Sequence, residues 1–120
     1  MGTFNSHVHP IYAPDTILAS GVICVRPINL IGIWLRNTGA ATVYVFMFNS
    51  ITVPGNGTKP SGGQPIKLEA GTSACLVPPG GQQFSVGMSW AVSSTDNTLT
   101  LAAAEMWVTA TYRTLGGVTT

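Results

Sequence analysis

Short runs of apolar residues occupy most of this sequence, and many alternate with polar residues between Gly, Pro and Asn positions. Apolar side chains at every second position predict strands with one buried face, because successive residues of a strand point to opposite sides of the sheet. Long helix-forming stretches hardly occur. Even residues 99–106, with three alanines, lie between segments that alternate with period two, so they predict a strand or a bulged strand. The pattern predicts an all-β fold.

About eight short strands are predicted, each bounded by turn residues such as Asn37-Thr38-Gly39 or Pro78–Gly81. Turn signals every eight to twelve residues or so favour a single antiparallel β-sandwich or jelly-roll-like domain. The predicted strands cover residues 22–26, 30–36, 42–48, 66–69, 73–77, 83–93, 99–103 and 105–112.

Three segments differ from this pattern. Residues 1–16 have weak periodicity and predict an extended N-terminal arm, and residues 116–120 are a predicted tail. Residues 17–115, between them, form the predicted sandwich domain. Residues 50–65 form a long irregular loop, and a loop of that length in a small domain is functional or disordered. We expect the arm and the loop to contact other molecules.

The predicted strand at residues 42–48 is apolar on both faces. Val43, Val45 and Met47 share one face, and three aromatic residues share the other: Tyr44, Phe46 and Phe48. A strand that is apolar on both sides must be covered on both sides. We expect the sandwich core to cover one face and a partner subunit to cover the other.

Charged residues make up only 8% of the chain, against roughly 25% in an average soluble protein. A free monomer usually keeps a charged surface for solubility, so this composition predicts that much of the surface is covered by neighbouring molecules. The five basic residues form no cluster, which argues against nucleic-acid binding. No leader peptide and no membrane span are expected, because the apolar runs are short and interrupted.

Few residues are suited to catalysis: the chain has two His, two Asp, two Glu and two Cys. No predicted arrangement joins a nucleophile, a base and an orienting group, and we expect no enzyme activity and no cofactor. Glu105 is expected to be solvated or paired with an arginine. His7 and His9 have the one metal-like spacing, but two ligands fall short of a closed zinc site, so solvated histidines are the favoured interpretation.

The cysteines and tryptophans are expected to be structural. Cys24 and Cys75 lie in apolar contexts and predict two buried thiols, with one disulfide as the alternative. Trp34, Trp90 and Trp107 lie on predicted strands, where aromatic residues are more often core or interface anchors than sugar platforms.

Several stretches resemble small structural proteins of tailed-bacteriophage virions. A strand ending in Leu35-Arg36-Asn37-Thr38-Gly39 precedes Ala41-Thr42-Val43-Tyr44-Val45, and Ile66–Ser73, Ala91–Ser94 and Thr98–Leu101 with Glu105 follow in order. The resemblance spans residues 22–112 and implies a small β-sandwich that decorates or cements a capsid, or joins heads, tails and fibres.

The resemblance and the composition together lead to a specific expectation. The chain is expected to be a non-enzymatic capsid decoration or cement protein, made in the host cytoplasm and located on the capsid surface of the virion. Its expected partners are the major capsid protein and two further copies of itself in a trimer. The candidate partner-binding residues are His7, His9, Pro10, Tyr12, Tyr44, Phe46, Phe48, Pro54, Asn56 and Lys59.

Two alternatives remain open at the level of sequence. One is a tail, collar or fibre-joining component of the same class of virion. The other is a carbohydrate-binding module or adhesin tip, which would present aromatic side chains with polar neighbours on one exposed face near residues 50–65.

Overall fold

The computed structural model of the protein describes residues 10–115. These residues form nine antiparallel strands in two sheets, with no helix in this range. The all-β sandwich that the sequence predicts is therefore confirmed. The strands are β1 (Ile11–Tyr12), β2 (Ser20–Cys24), β3 (Ile28–Asn37), β4 (Val43–Phe48), β5 (Ile66–Leu68), β6 (Ser73–Leu76), β7 (Gln82–Phe84), β8 (Met88–Ser93) and β9 (Met106–Thr114).

The chain crosses repeatedly between the two sheets. The first sheet has the order β1-β9-β3-β6, with β7 also paired to β3, and the second has the order β2-β8-β4-β5. One edge of the long strand β3 is divided between two short strands: β7 pairs with residues 28–30 and β6 with residues 33–36. At the opposite edge of this sheet, β1 pairs with β9, and the Tyr112 N–H donates to the Pro10 carbonyl at 3.2 Å.

The main core lies between the sheets and takes side chains from both. Trp90 of β8 is fully buried there, and its Nε1–H donates to the Tyr12 hydroxyl of the opposite sheet at 3.2 Å. This bond satisfies the one polar group of the indole, which a buried tryptophan requires. The other buried members include Ile28, Leu30, Ile33, Leu35, Val45, Met47, Leu68, Phe84, Met88, Val92, Val108 and Ala110.

A buried asparagine also connects the two sheets. Asn37, at the end of β3, places its Nδ2 within hydrogen-bond distance of three carbonyl oxygens, those of Ala41, Leu68 and Glu69, at 2.8, 3.2 and 3.3 Å, so its two hydrogens are shared among them. Its Oδ1 accepts the Gly39 N–H at 2.9 Å. Leu68 belongs to β5 of the second sheet, so a single amide holds the Gly39 turn and the end of β5 against β3.

The outer face of the second sheet is covered by the chain itself. Phe46 and Phe48 are buried in a second apolar cluster with Ala91 and Leu99. The long loop is fastened to the segment at Leu99: the Gly57 N–H donates to the Leu99 carbonyl at 2.7 Å, and the Leu99 N–H donates to the Thr58 carbonyl at 2.8 Å. The expectation that a partner subunit covers Phe46 and Phe48 is therefore wrong, because the long loop and the segment at Leu99 already exclude solvent from both side chains.

Leu99 is expected to be the main contributor to this cover. Leu99→Ala should lower the free energy of unfolding by about 2–4 kcal/mol, because it leaves a cavity against the two phenylalanines. Leu101→Ala is the matched control: Leu101 is two residues away but exposed, and its loss should cost less than about 0.5 kcal/mol. Urea denaturation measures both, and equal losses would contradict the packing described here.

Three local predictions differ from the structure. The predicted strand 83–93 is broken at residues 85–87, where the chain passes from the first sheet to the second and where the Cys24 carbonyl leaves no room for a side chain at Gly87. Residues 99–103 form only an isolated bridge, Ser93 to Leu101, because they cover the sheet instead of extending it. Residues 11–12, predicted to lie in the arm, form β1.

Candidate protein-docking face

The outer face of the second sheet is covered by loops of the domain, whereas the outer face of the first sheet is not covered by other described segments. We call this uncovered face the open face. Residues paired across neighbouring strands lie on the same side of a sheet, so the register defines its members. Trp34 is paired with Thr109 and Cys75, and Arg36 with Trp107 and Ser73. The remaining members of the open face are Ile11, Asn29, Ile31, Val77, Gln83, Thr111 and Arg113.

Large apolar side chains are exposed on the open face. Ile11 is 62% exposed, Val77 65%, Trp34 43% and Trp107 36%. Trp34 and Trp107 lie on adjacent strands as diagonal neighbours, close enough for side chains of this size to share one contact surface. Two exposed tryptophans side by side make this face a candidate interface, since tryptophan is among the residues that dominate binding at protein interfaces.

The charge of the open face is positive and sparse. Arg36 and Arg113 lie toward opposite ends, and no Asp or Glu lies on its described strands, although Glu105 is exposed directly before β9 at the Arg36 end. Arg36 Nη1 lies 3.4 Å from the Ser73 hydroxyl. The apolar centre with a basic residue at each end is complementary to an apolar surface that carries acidic groups.

The candidate residues of the sequence analysis do not form one site. His7 and His9 lie outside the described residues. Pro10 is exposed directly before β1, whereas Tyr12 is half-buried and its hydroxyl accepts the hydrogen bond from Trp90 in the core.

The loop candidates lie over the other sheet. Asn56 and Lys59 are exposed, Pro54 is half-buried, and the Asn56 Oδ1 accepts the Leu101 N–H at 2.9 Å. Tyr44 is half-buried and packs against the second apolar cluster. The loop therefore acts first as a cover for the sheet, and it does not extend the open face.

Four members of the open face are not among the residues predicted to bind partners: Ile11, Val77, Arg36 and Arg113. A signal for part of it was present in the alternation Ile33-Trp34-Leu35-Arg36, where Trp34 and Arg36 share the phase opposite to the buried residues. The same alternation in Trp107-Val108-Thr109-Ala110 places Trp107 outward.

The titratable groups of the domain are dispersed. Within residues 10–115 no group of three or more His, Cys, Asp or Glu side chains is placed to hold a metal ion. Both cysteines are free, and Cys75 is exposed on the open face, so the prediction of a buried thiol there is wrong. Burial, and then the neighbouring Cys24 thiol, raise the pKa of Tyr112 above its ordinary value.

Comparisons with known proteins add no further assignment to this geometry. No helix in the described part of the chain is long and apolar enough to cross a lipid bilayer. Searches against protein-family models, curated proteins and solved structures found no match to this chain.

Proposed function

We propose that the protein is a non-enzymatic structural protein of a phage virion, a decoration or cement protein that binds the outside of the capsid through its open face. The observation that carries the proposal is the contrast between the two outer faces. One is covered by loops of the domain, while the other exposes Trp34, Trp107, Ile11 and Val77. A contiguous apolar surface with few charges marks a site of protein contact.

We infer that the open face supplies only part of the contact with the capsid. Four strand positions about 4.8 Å apart and eight residues at about 3.3 Å each give a face of roughly 500 Å² in projection. A standard stable interface buries roughly 800 Å² on each partner. The proposal therefore assigns the remaining contact to residues 1–9, which precede β1 at the edge of the open face.

The positive charges of the open face favour a partner other than a second copy of this chain. Two open faces brought together would oppose Arg36 and Arg113 of each copy, and like charges in contact disfavour association. In the proposal the capsid surface supplies the acidic groups, and the trimer forms through other surfaces. Light scattering tests the trimer directly, because the intact chain should then have three times its own mass in solution.

The test of the proposed function is sedimentation with capsids assembled from the major capsid protein of the same genome. The intact chain should sediment with them and saturate at a fixed number of copies per particle. A chain lacking residues 2–9 should keep its fold, since β1 and Tyr12 remain, and should bind more weakly. Absence of binding to capsids would overturn the decoration role, and binding to purified tails instead would favour the tail, collar or fibre-joining alternative.

Carbohydrate binding is the second candidate, and one observation favours it. Trp34 and Trp107 are exposed side by side with Thr109, Arg36 and Ser73 as polar neighbours, and aromatic faces with polar neighbours suit sugar rings. The pair lies on the sheet opposite to the long loop, not near it as the sequence analysis required. A glycan array probed with the intact chain separates the candidates: specific hits favour the sugar site, and none are expected for a decoration protein.

A further inference from the structure

One end of the open face contains a depression where the pairing of β3 is irregular on both sides. The register with β9 shifts between Leu30 and Gly32, so Ile31 is the extra residue of a β-bulge. On the other side β7 pairs only as far as Leu30, and β6 begins at Ile33. Bulges of this kind redirect side chains and are frequent beside functional sites.

The wall of the depression is a tight turn between β6 and β7. The Gly81 N–H donates to the Pro78 carbonyl at 2.9 Å. Pro79 precedes Gly80, whose φ is 72°, and this sequence and conformation define a type II turn. Asn29 Nδ2 donates to the Gly80 carbonyl at 3.2 Å, and any side chain at Gly81 would collide with Asn29. The turn is therefore fixed against β3.

The depression is apolar except at one side. It is largely open to solvent and has a volume of about 390 Å³, at the small end of the roughly 300–1,000 Å³ that small-molecule sites occupy. Arg113 and Asn29 are paired across β9 and β3, and they place a guanidinium and an amide along one wall. The lining residues are Asn29, Ile31, Val77, Pro78, Pro79, Gly80, Gly81 and Arg113.

We propose that this depression binds a carboxylate carried on a small aliphatic group. Arg113 offers a planar set of N–H donors that matches a carboxylate, and no Asp or Glu is among the lining residues. Within the described residues the Arg113 guanidinium forms no hydrogen bond, whereas the Arg36 guanidinium is placed to donate to the Ser73 hydroxyl. Ile31, Val77 and Pro79 supply the apolar surface, so an inorganic anion would leave most of the site unfilled.

Two sources supply this ligand chemistry, and they differ in the position of the carboxylate. A protein chain that ends in an aliphatic residue presents it next to the side chain, as N-acetyl-leucine does. A glutamate within a chain presents it at the end of a short methylene stem, as N-acetylglutamic acid α-amide does. The site goes beyond the capsid-binding function, because it requires no capsid and is tested with the isolated protein.

The test is a titration of the isotope-labelled intact protein with these two probes, followed by amide NMR shifts. Shifts should concentrate at Ile31, Val77, Gly80 and Gly81, with a dissociation constant of about 1 mM for a ligand of this size. The uncharged analogue N-acetyl-leucinamide should bind at least about tenfold more weakly than N-acetyl-leucine, because the charge-assisted bonds to Arg113 are lost. The probe that binds more tightly identifies the source.

Two variants control the titration. Arg113→Gln should weaken binding of the tighter probe by at least about tenfold, and Arg36→Gln, at the other end of the open face, should leave it unchanged. Equal binding of N-acetyl-leucine and its amide, unchanged binding in Arg113→Gln, or no shifts at these residues would each overturn the proposal. None of these outcomes depends on whether the protein sediments with capsids.

Discussion

Replacing both exposed tryptophans, Trp34→Ala together with Trp107→Ala, is expected to weaken binding to capsids at least about 100-fold, because buried aromatic anchors dominate binding at interfaces. The free energy of unfolding should fall by about 1–3 kcal/mol, because Trp34 is 43% and Trp107 36% exposed and the rest of each side chain packs on the domain. Each replacement also removes the exposed part of the side chain, which only a partner can bury. Sedimentation with capsids and urea denaturation measure the two quantities on the same preparation.

A matched variant distinguishes loss of the open face from a general loss of apolar surface. Ile51→Ala with Leu101→Ala removes two exposed aliphatic side chains from segments outside the first sheet and should leave capsid binding unchanged. If the tryptophan variant still binds as tightly as the parent, the open face is not the contact. If both variants lose binding equally, hydrophobicity alone explains the association.

Replacing the third tryptophan is expected to have the opposite result. Trp90→Ala should lower the free energy of unfolding by about 3–5 kcal/mol, because it empties the largest fully buried position between the sheets. It also leaves the Tyr12 hydroxyl without its indole donor. Such a loss is a large fraction of the total stability of a domain of this size, so urea denaturation at reduced temperature is the suitable measurement.

Tyr12→Phe separates the hydrogen bond from the packing. It removes only the hydroxyl, which is worth about 1 kcal/mol in a typical intramolecular bond. A loss for Trp90→Ala no larger than that of Tyr12→Phe would show that the indole contributes little beyond its N–H. It would also contradict the placement of Trp90 in the core.

The three tryptophans show how far the sequence predicts this fold. Alternation correctly predicted strands around each of them, because period two is a local property of an extended chain. It also put Trp34 out of phase with Ile33. Whether the outward phase is then covered depends on segments far away in the chain. Leu99 and the loop at residues 57–58 cover Phe46 and Phe48, and nothing comparable among the described residues covers Trp34.

Local irregularities limited the rest of the prediction. Strict alternation would put Ile31, Ile33 and Leu35 on one face, but the bulge at Ile31 means that Leu30 shares the inner face with Ile33 and Leu35. The alternation from Phe84 through Val86 to Met88 also looked continuous, yet the chain changes sheets there and leaves Val86 exposed. Both changes depend on pairing with distant strands, which a periodicity within one segment does not contain.

The pairing of β1 with β9 has a mechanical consequence. Pro10 lies beside Tyr112, and the strands are antiparallel, so the two ends of the described chain leave the domain at the same place. Tension applied between them would open the β1–β9 ladder one hydrogen-bonded pair at a time instead of shearing all its bonds together. The domain should therefore yield first at β1 under load, and an attachment that resists force has to hold the sheet itself as well as the chain termini.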